Sequence, residues 1–224
     1  MVTKSRTDVS VLLISGNEAY HAPQLRRFGR YLVTNAGIDK GRVVYLSGAV
    51  QSNNEILAAT KQFIDNAKAL RDAQKPGTGH HLVVGYHGHG FPSGFCPDGT
   101  PTSYYNLVHI IGFDISFLFI NNSCYSGAAV EAFRECGLLP SFGSVIASTR
   151  SYKPSYGTIF LEELVASWKQ GKEFRRQKMR LLIENEQPIS TPSNASPFSQ
   201  YKTYVQIPTR AGISLDHVLY PVRF

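Results

Sequence analysis

Short runs of branched apolar residues alternate along this chain with longer segments that are apolar on one face only. The first run, Val9 to Ile14, is broken by a single polar residue, as expected for a strand covered on both faces. From Gln24 to Ala36, apolar residues recur at intervals of three, four and seven, which predicts an amphipathic helix ended by Gly37. This alternation predicts an α/β fold with a largely parallel sheet and helices on both faces.

The alternation continues through the middle of the chain. Asn53 or Asn54 can cap a second helix, and a third is predicted from Ser126 to Cys136. Further strands are predicted at Val43–Leu46, Leu82–Tyr86, Ile115–Ile120, Ser144–Ser148 and Tyr201–Ile207. We therefore expect a sheet of about six strands in one domain over 1–224. Its core spans 9–165, and the C-terminal helices, a loop over 187–199 and the last strand lie in 166–224.

The charge balance permits acidic partners but does not identify one. Lys and Arg number 23 and Asp and Glu 16, a formal net charge of +7. A late predicted helix carries a basic run made of Lys169, Lys172, Arg175, Arg176, Lys178 and Arg180. Few aromatic residues accompany this run for stacking on bases, so we interpret it as a solvated helix face and expect no nucleic-acid partner.

No segment has the composition of a signal peptide or a membrane span. Val9 to Ile14 is shorter than a signal core of about 7–15 residues. Ile110 to Ile120 is interrupted by Asp114 and falls short of the about 20 residues that a span needs. Three cysteines do not make a disulfide framework and fit a reducing compartment. We expect a soluble, cytoplasmic protein.

Reactive side chains follow two of the predicted strands. Leu82–Tyr86 leads into His87 to Gly90, and Ile115–Ile120 leads into Asn121 to Gly127; such strand ends meet at one edge of a parallel sheet. Cys124 lies at the turn into a helix, where free N–H groups favour a thiolate. A histidine from the neighbouring strand can act as general base and then general acid, with the N–H groups of the next glycine and of Cys124 binding an oxyanion. The combination predicts acyl transfer from a peptide or similar amide.

Both segments resemble the caspase-like (clan CD) cysteine peptidases, which include caspases, metacaspases and legumains. Leu82 to Gly90 resembles the metacaspase strand followed by Tyr-Ser-Gly-His-Gly, and Asn122 to Gly127 resembles Asp-Ser-Cys-His-Ser-Gly. Ile14 to Tyr20 and Ser148 to Gly157 are more similar to segments of legumain relatives. The resemblance covers 9–165 and implies a caspase-like three-layer sandwich.

The resemblance also implies roles for individual residues. Cys124 would be the nucleophile and His89 the general acid and base of a Cys-His dyad. The backbone N–H groups of Gly90 and Cys124 would form the oxyanion hole. A legumain-like alignment would place the base at His87 instead, and this alternative stays open because geometry decides which imidazole acts.

Substrate-binding residues implied by the resemblance are Asn122, Ser155 and Tyr156. Asn122 stands where metacaspases have an aspartate that helps to bind a basic P1 side chain, so the carboxylate that would pair with Arg or Lys is missing. In the loop over 91–106 the single acidic residue is Asp98, too few oxygen ligands for a calcium site. We therefore expect a polypeptide substrate, no metal and no cofactor.

Two alternatives belong to other classes of protein. In a zinc hydrolase, His87 and His89 would be joined by His80, His81 or Cys124 as a third ligand. In a catalytically silent caspase-like module, the thiol would be unreactive and the basic surface would bind partners. The sequence also allows a homodimer.

Overall fold

The strands form at the apolar runs that the sequence contains. The computed structural model describes residues 6–74, 79–139, 142–149, 151–152, 155, 160–162 and 164–165, together with the backbone of 204–205. In these residues the strands are β1 (Val9–Ser15), β2 (Val43–Ser47), β3 (His81–His87), β4 (His89–Phe91), β5 (Gly94–Cys96), β6 (Thr102–Ser103), β7 (Ser116–Asn122), β8 (Gly143–Ala147) and β9 (Tyr204–Val205).

Helices connect most of the strands of the main sheet. They are α1 (His21–Thr34), α2 (Asn53–Asp72), α3 (Tyr104–Ile111) and α4 (Gly127–Glu135), with a 3-10 turn at Lys40–Arg42. Residues 160–162 and 164–165 are also helical. Gly37 follows the end of α1 with a φ of 70°, a backbone conformation that glycine adopts without steric cost.

The main sheet has the strand order β2-β1-β3-β7-β8-β9. Neighbours from β2 to β8 are parallel, and β9 pairs antiparallel with β8. A smaller antiparallel sheet is formed by β4, β5 and β6. This mostly parallel sheet confirms the predicted α/β fold class.

Each face of the sheet is covered by its own hydrophobic core. On one face, α2, α3 and α4 pack over the strands through residues that include Ile64, Leu107 and Phe133. On the other face, α1 packs with residues 160–162 and 164–165 through residues that include Phe28 and Leu161. Helices on both faces make the three layers that the alternation predicts.

Two local predictions were wrong: one concerns the cap of a helix and the other the burial of a strand. The cap of α2 is Ser52, not Asn53 or Asn54: the Ser52 hydroxyl accepts the Glu55 N–H, and the Glu55 carboxylate accepts the Ser52 N–H. The apolar run predicts a buried strand β2, but Tyr45 in this strand is 40% exposed. The strand β2 lies at the edge of the sheet and pairs with a neighbouring strand on one side only.

The small sheet and α3 differ from the sequence-based prediction, which places a loop over 91–106. Strands of two or three residues are too short to show an alternating pattern. The helix α3 did leave a signal, since Tyr104, Leu107, Val108 and Ile111 have helical spacing and are buried. Ser103 caps it by accepting the Tyr105 N–H.

Several predictions fall on residues outside those described. They concern the basic helix with Lys169 to Arg180 and the loop over 187–199. The backbone of β9 lies within the predicted strand Tyr201–Ile207, whereas the single domain over 1–224 stays a prediction. None of the helices among the described residues combines the length and apolarity needed to cross a bilayer.

Candidate active site

Five parallel strands end at the carboxyl edge of the main sheet. From β1 the chain crosses to β2 on one side, and it returns past β1 to β3 on the other. The strand order therefore changes direction between β1 and β3, and such a point opens a crevice for ligands. The segments that follow β1, β3, β7 and β8 all border this edge.

Cys124 lies two residues after the end of β7. Asn122 is the last residue of that strand and pairs with His87 of β3. The chain then turns sharply: Tyr125 has a φ of 56°, a conformation that costs a non-glycine residue about 1–3 kcal/mol. The helix α4 begins at Gly127. Cys124 is therefore held between a strand end and the positive end of a helix dipole.

Buried hydroxyl groups fix the turn around Cys124 to the end of β8. The Ser148 hydroxyl donates to the Ser123 carbonyl oxygen at 3.2 Å and lies 3.2 Å from the Ser126 hydroxyl. The Thr149 N–H donates to the Ser126 hydroxyl at 3.0 Å. Since Ser123, Ser126 and Ser148 are almost fully buried, water does not compete for these bonds. The turn is thus linked to a neighbouring strand and not only to its own helix.

The thiol of Cys124 contacts the backbone of Ser155. The Ser155 N–H donates to Sγ at 3.3 Å, and Sγ lies 3.6 Å from the Ser155 carbonyl oxygen. The Ser155 hydroxyl oxygen lies 3.1 Å from the Ser148 hydroxyl oxygen, which can accept its proton. Ser155, which the resemblance implied as a substrate-binding residue, is therefore adjacent to the candidate nucleophile. Tyr156 lies outside the described residues.

Gly90 packs directly against the backbone of Cys124. A Cβ atom at position 90 would lie 2.2 Å from the Cys124 carbonyl oxygen and 2.5 Å from the Ser123 hydroxyl oxygen. No side chain fits in that space, so glycine allows β4 to approach the turn after β7. This contact brings the backbone that follows His89 next to Cys124.

His89 is held at its backbone, and its ring reaches the loop after β1. The buried Tyr86 hydroxyl donates to the His89 carbonyl oxygen at 2.7 Å. The imidazole Nε2 lies 3.4 Å from a carboxylate oxygen of Glu18, with both side chains about half exposed. The ring also meets His21 edge-on, with 5.5 Å between centroids.

His87 has different surroundings, although it is two residues away. It is 3% exposed, and its Nδ1 lies 3.2 Å from the Asn122 carbonyl oxygen and 3.0 Å from the Asn122 side-chain nitrogen. Its Nε2 is buried with no hydrogen-bond partner among the described residues. Burial lowers the pKa of His87, and the hydrogen bond to Asn122 opposes that shift. Asn122 itself is 2% exposed and lies beside this ring.

Glu18 and His21 lie beside the His89 ring, although neither is among the site residues that the sequence predicts. His21 is the first residue of α1; burial and the neighbouring His87 and His89 lower its pKa to about 3. Its Nδ1 accepts the Glu18 N–H at 3.3 Å. The available signal was their position directly after β1, because strand-end loops of a parallel sheet share one edge.

The geometry separates the histidines that a zinc site would need. His80 and His81 lie at the start of β3, and His87 lies at its end. At about 3.3 Å per strand residue, about 20 Å separates the two ends. Ser10 and Gln74 contact the two ring nitrogens of His80. Across the described ranges, no three His, Cys, Asp or Glu side chains are arranged to hold a metal ion.

The other two cysteines have surroundings that differ from those of Cys124. Cys96 in β5 is buried, and this burial raises the pKa of its thiol. Cys136 follows the last residue of α4 and is half-buried.

The fold has a counterpart among solved structures. The chain is similar to the crystal structure of caspase-1 from Spodoptera frugiperda, with a TM-score of 0.56 and 14% sequence identity. The match covers 90% of this chain and 89% of the other. No family model matches the chain, and no curated protein does either. This chain therefore has a caspase-like fold.

Proposed function

We propose that this chain is a cysteine endopeptidase of the caspase-like type, in which Cys124 is the nucleophile and His89 the general acid and base. The observation that carries the proposal is the contact of Gly90 with the Cys124 backbone. It brings an exposed imidazole and a thiol-bearing turn to the same sheet edge from neighbouring strands. Thiol-based acyl transfer requires a cysteine, a histidine and backbone N–H groups that can bind an oxyanion, all in one crevice.

The first half of the reaction forms a thioester. His89 accepts the thiol proton while Sγ of Cys124 attacks the carbonyl carbon of the scissile peptide bond. The resulting oxyanion would be bound by the backbone N–H groups of Gly90 and Cys124. As the intermediate collapses, the C–N bond breaks, and protonated His89 gives its proton to the leaving amine.

The second half consumes one water molecule. His89 removes a proton from the water, whose oxygen attacks the thioester carbonyl. The C–S bond then breaks, the new carboxylic acid leaves, and Cys124 recovers its proton. The Ser155 N–H, which donates to Sγ, favours negative charge on the sulfur when it leaves.

His89 suits the role of base better than His87 does. The His87 ring is buried and lies against Asn122 on its Nδ1 side, so a proton transferred to it would create a charge with little solvation. The half-exposed His89 ring has solvent and a carboxylate beside it. We therefore retain His89, as in the metacaspase-like alignment, and not the legumain-like alternative.

The substrate is proposed to be a polypeptide without a basic P1 preference. Asn122 provides no carboxylate to pair with Arg or Lys, and its side chain lies beside His87. Ser155 and Tyr156 are proposed to line the pocket for the P1 residue. This Cys-His reaction needs no metal and no cofactor. We propose that one domain over 1–224 contains all the residues that the reaction uses.

A peptide-library assay with matched cysteine variants tests the proposal. The full chain should cleave a defined peptide mixture, and Cys124→Ala should abolish the new amino termini seen by mass spectrometry. Cys136→Ala, at a half-buried thiol outside the site, should cleave like wild type. Iodoacetamide at neutral pH should label Cys124 well ahead of Cys136.

Histidine variants assign the base in the same assay. His89→Ala should reduce turnover by about 10²–10⁴-fold, the usual contribution of general acid–base catalysis. A loss of turnover in His87→Ala with His89→Ala still active would contradict our assignment. No cleavage by wild type, together with slow and equal labelling of the cysteines, would favour the silent binding module.

A further inference from the structure

The outer edge of β2 leaves backbone groups unpaired near the middle of the strand. The Gly48 N–H donates to the Ser15 carbonyl oxygen of β1 at 2.9 Å. Because the backbone groups of successive strand residues point to opposite sides, Val44 and Leu46 also face β1. Tyr45 therefore faces away from β1, and in the described part of the chain no strand pairs with β2 on that side.

Local hydrogen bonds close the two ends of this edge. The Val43 N–H donates to the Lys40 carbonyl oxygen. At the other end, the Ser47 N–H donates to Oε1 of Gln51 at 3.1 Å, and the Gln51 N–H donates to the Ser47 carbonyl oxygen at 3.0 Å. The backbone N–H and C=O groups of Tyr45 have no hydrogen-bond partner among the described residues. An edge with such groups is a template on which an extended peptide can pair.

Basic side chains lie beside the Tyr45 side chain. Its ring packs on α1, because a Cβ atom at Gly29 would overlap the Tyr45 hydroxyl. Burial raises the pKa of Tyr45, and the positive charges of Arg26 and Arg30 oppose this shift. Both arginines are exposed, and they lie about one turn apart on α1. A peptide strand on this edge would therefore have positive charge next to the side chains on its α1 face.

The other face of β2 has a different character. Val44 lies on that face, because side chains alternate along a strand, and it is 37% exposed. An added strand would therefore have positive charge beside one face and an apolar side chain beside the other. Acidic residues fit the first face, and apolar residues fit the second.

We propose that the outer edge of β2 binds an extended polypeptide segment in which acidic and apolar residues alternate. The segment would add a strand to the main sheet by pairing with the backbone of Tyr45. This inference goes beyond the proposed peptidase function, because the binding uses neither Cys124 nor His89.

A second copy of this chain is a poor occupant of the same edge. Symmetric pairing through β2 would bring two sets of the same basic side chains together, and like charges across an interface oppose binding. Arg42 and the exposed Lys40, just before β2, add to this positive charge, and Asp39 offsets only part of it. The charge therefore favours an acidic partner over self-association.

Binding is measured with the full-length Cys124→Ala protein, in which a bound peptide is not cleaved whatever the wild type does. The probe is the fluorescently labelled peptide Glu-Val-Glu-Val-Glu-Val-Glu. Fluorescence anisotropy should show saturable binding that weakens as the salt concentration rises. The same peptide with Lys in place of every Glu should not bind. No saturation at about 1 mM peptide, a very weak affinity, would overturn the proposal.

Charge variants in the same background test the role of α1. An exposed ion pair contributes about 1.5- to fivefold in affinity, so Arg26→Gln combined with Arg30→Gln should weaken binding about two- to twentyfold. Arg134→Gln is the matched control. It removes an exposed arginine of α4, which connects β7 and β8 away from β2, and its affinity should be unchanged. Equal affinities in all these proteins would overturn the selection by charge.

Two N-methylated peptides test pairing through the backbone. One carries the methyl groups on its Glu residues and the other on its Val residues, and in a strand these two sets of N–H groups point to opposite sides. The set that faces β2 should weaken binding about tenfold or more, because hydrogen bonds are lost, whereas the other should bind like the parent peptide. Equal affinities of the two methylated peptides would overturn the strand pairing.

Hydrogen exchange measured by NMR locates the bound peptide. With the parent peptide at about ten times its Kd, exchange of the Tyr45 N–H should slow about tenfold, because the peptide must leave first. The Leu46 N–H faces β1 and should change much less. An unchanged Tyr45 N–H in the peptide complex would place binding elsewhere and overturn the proposal. A dimer of the free protein with the Tyr45 N–H already protected would assign the edge to a second copy, which also overturns it.

Discussion

Gly90 shows how one missing side chain can decide whether a site forms. Its Cα lies against the carbonyl oxygen of Cys124 and the side chain of Ser123, both of which are fixed by the turn after β7. The Cys124 carbonyl oxygen belongs to the backbone and cannot rotate away, and the Ser123 Cβ would also lie within 2.8 Å, so the contact permits no larger residue. The strand β4 can follow the Cys124 turn only with glycine at this position.

Gly90→Ala should therefore impair both folding and catalysis. Its Cβ would lie 2.2 Å from the Cys124 carbonyl oxygen, and the resulting shift should lower the free energy of unfolding by about 1–3 kcal/mol. A displacement of β4 by about 1 Å would also lower kcat/KM by about 10²-fold. Urea unfolding and peptide cleavage measure the two effects.

Gly79→Ala is the matched control for that substitution. Its Cβ would meet the His81 side chain at 3.2 Å, at the opposite end of β3, so activity should stay at the wild-type level. If Gly90→Ala retained wild-type kcat/KM, the close packing of β4 against Cys124 would not matter for the reaction.

At the scale of elements, the small sheet β4-β5-β6 carries His89 and Gly90 and is tied to α2. Asp98, between β5 and β6, accepts the Asn53 N–H at 2.7 Å at the start of α2 and the Thr100 N–H at 2.7 Å. Desolvation raises the pKa of the Asp98 carboxyl, but the hydrogen bonds with Thr100 and Asn53 together hold this pKa below its usual value. The Asp98 carboxylate therefore connects the start of α2 to the small sheet that carries His89 and Gly90.

Asp98→Asn should weaken this connection. The amide has one acceptor oxygen in place of two and presents its NH₂ group to a backbone N–H. We expect the free energy of unfolding to fall by about 1 kcal/mol, as for loss of a helix cap. Thermal and urea unfolding measure the change. Asp65→Asn, which breaks the exposed Lys61 pair of α2, should have a smaller effect; an equal effect would assign no special role to Asp98.

At the scale of the whole molecule, three buried histidines link stability to pH. Burial is the largest cause of the lowered pKa of His21, His80 and His87. The pKa is about 3 for His21 and about 4 for His80. The unfolded histidines have a pKa of about 6.5, so below that pH the unfolded chain binds more protons than the folded chain. Stability is therefore complete above about pH 6.5 and is lost as the pH falls toward the lower folded values.

The urea concentration at the midpoint of unfolding should accordingly decrease as the pH is lowered from about 7.5 to about 5. Most carboxylates titrate below this range. His80→Gln should make this dependence shallower, since His80 lies at the opposite end of β3 from the candidate site. His109→Gln, at an exposed position of α3, should leave the dependence unchanged. A pH dependence that is identical in wild type and His80→Gln would contradict this account.

The sequence alone determined the layers of the fold and the residues that follow each strand. Apolar periodicity identified β1, β3, β7, β8, α1 and α4 to within a few residues, because burial on one or two faces leaves a repeating pattern. The same pattern led from β3 to His87 and His89 and from β7 to Cys124. It could not show the small sheet, whose strands are too short to repeat.

The tertiary structure decided how these groups meet. His87 and His89 are equivalent in spacing, but packing against Asn122 buries the first and the turn into β4 exposes the second. The contacts of Glu18 with His89 and of Ser155 with Cys124 join residues 71 and 31 positions apart. Local sequence carries no record of such pairs, because the crossing of strands and loops at one sheet edge brings them together.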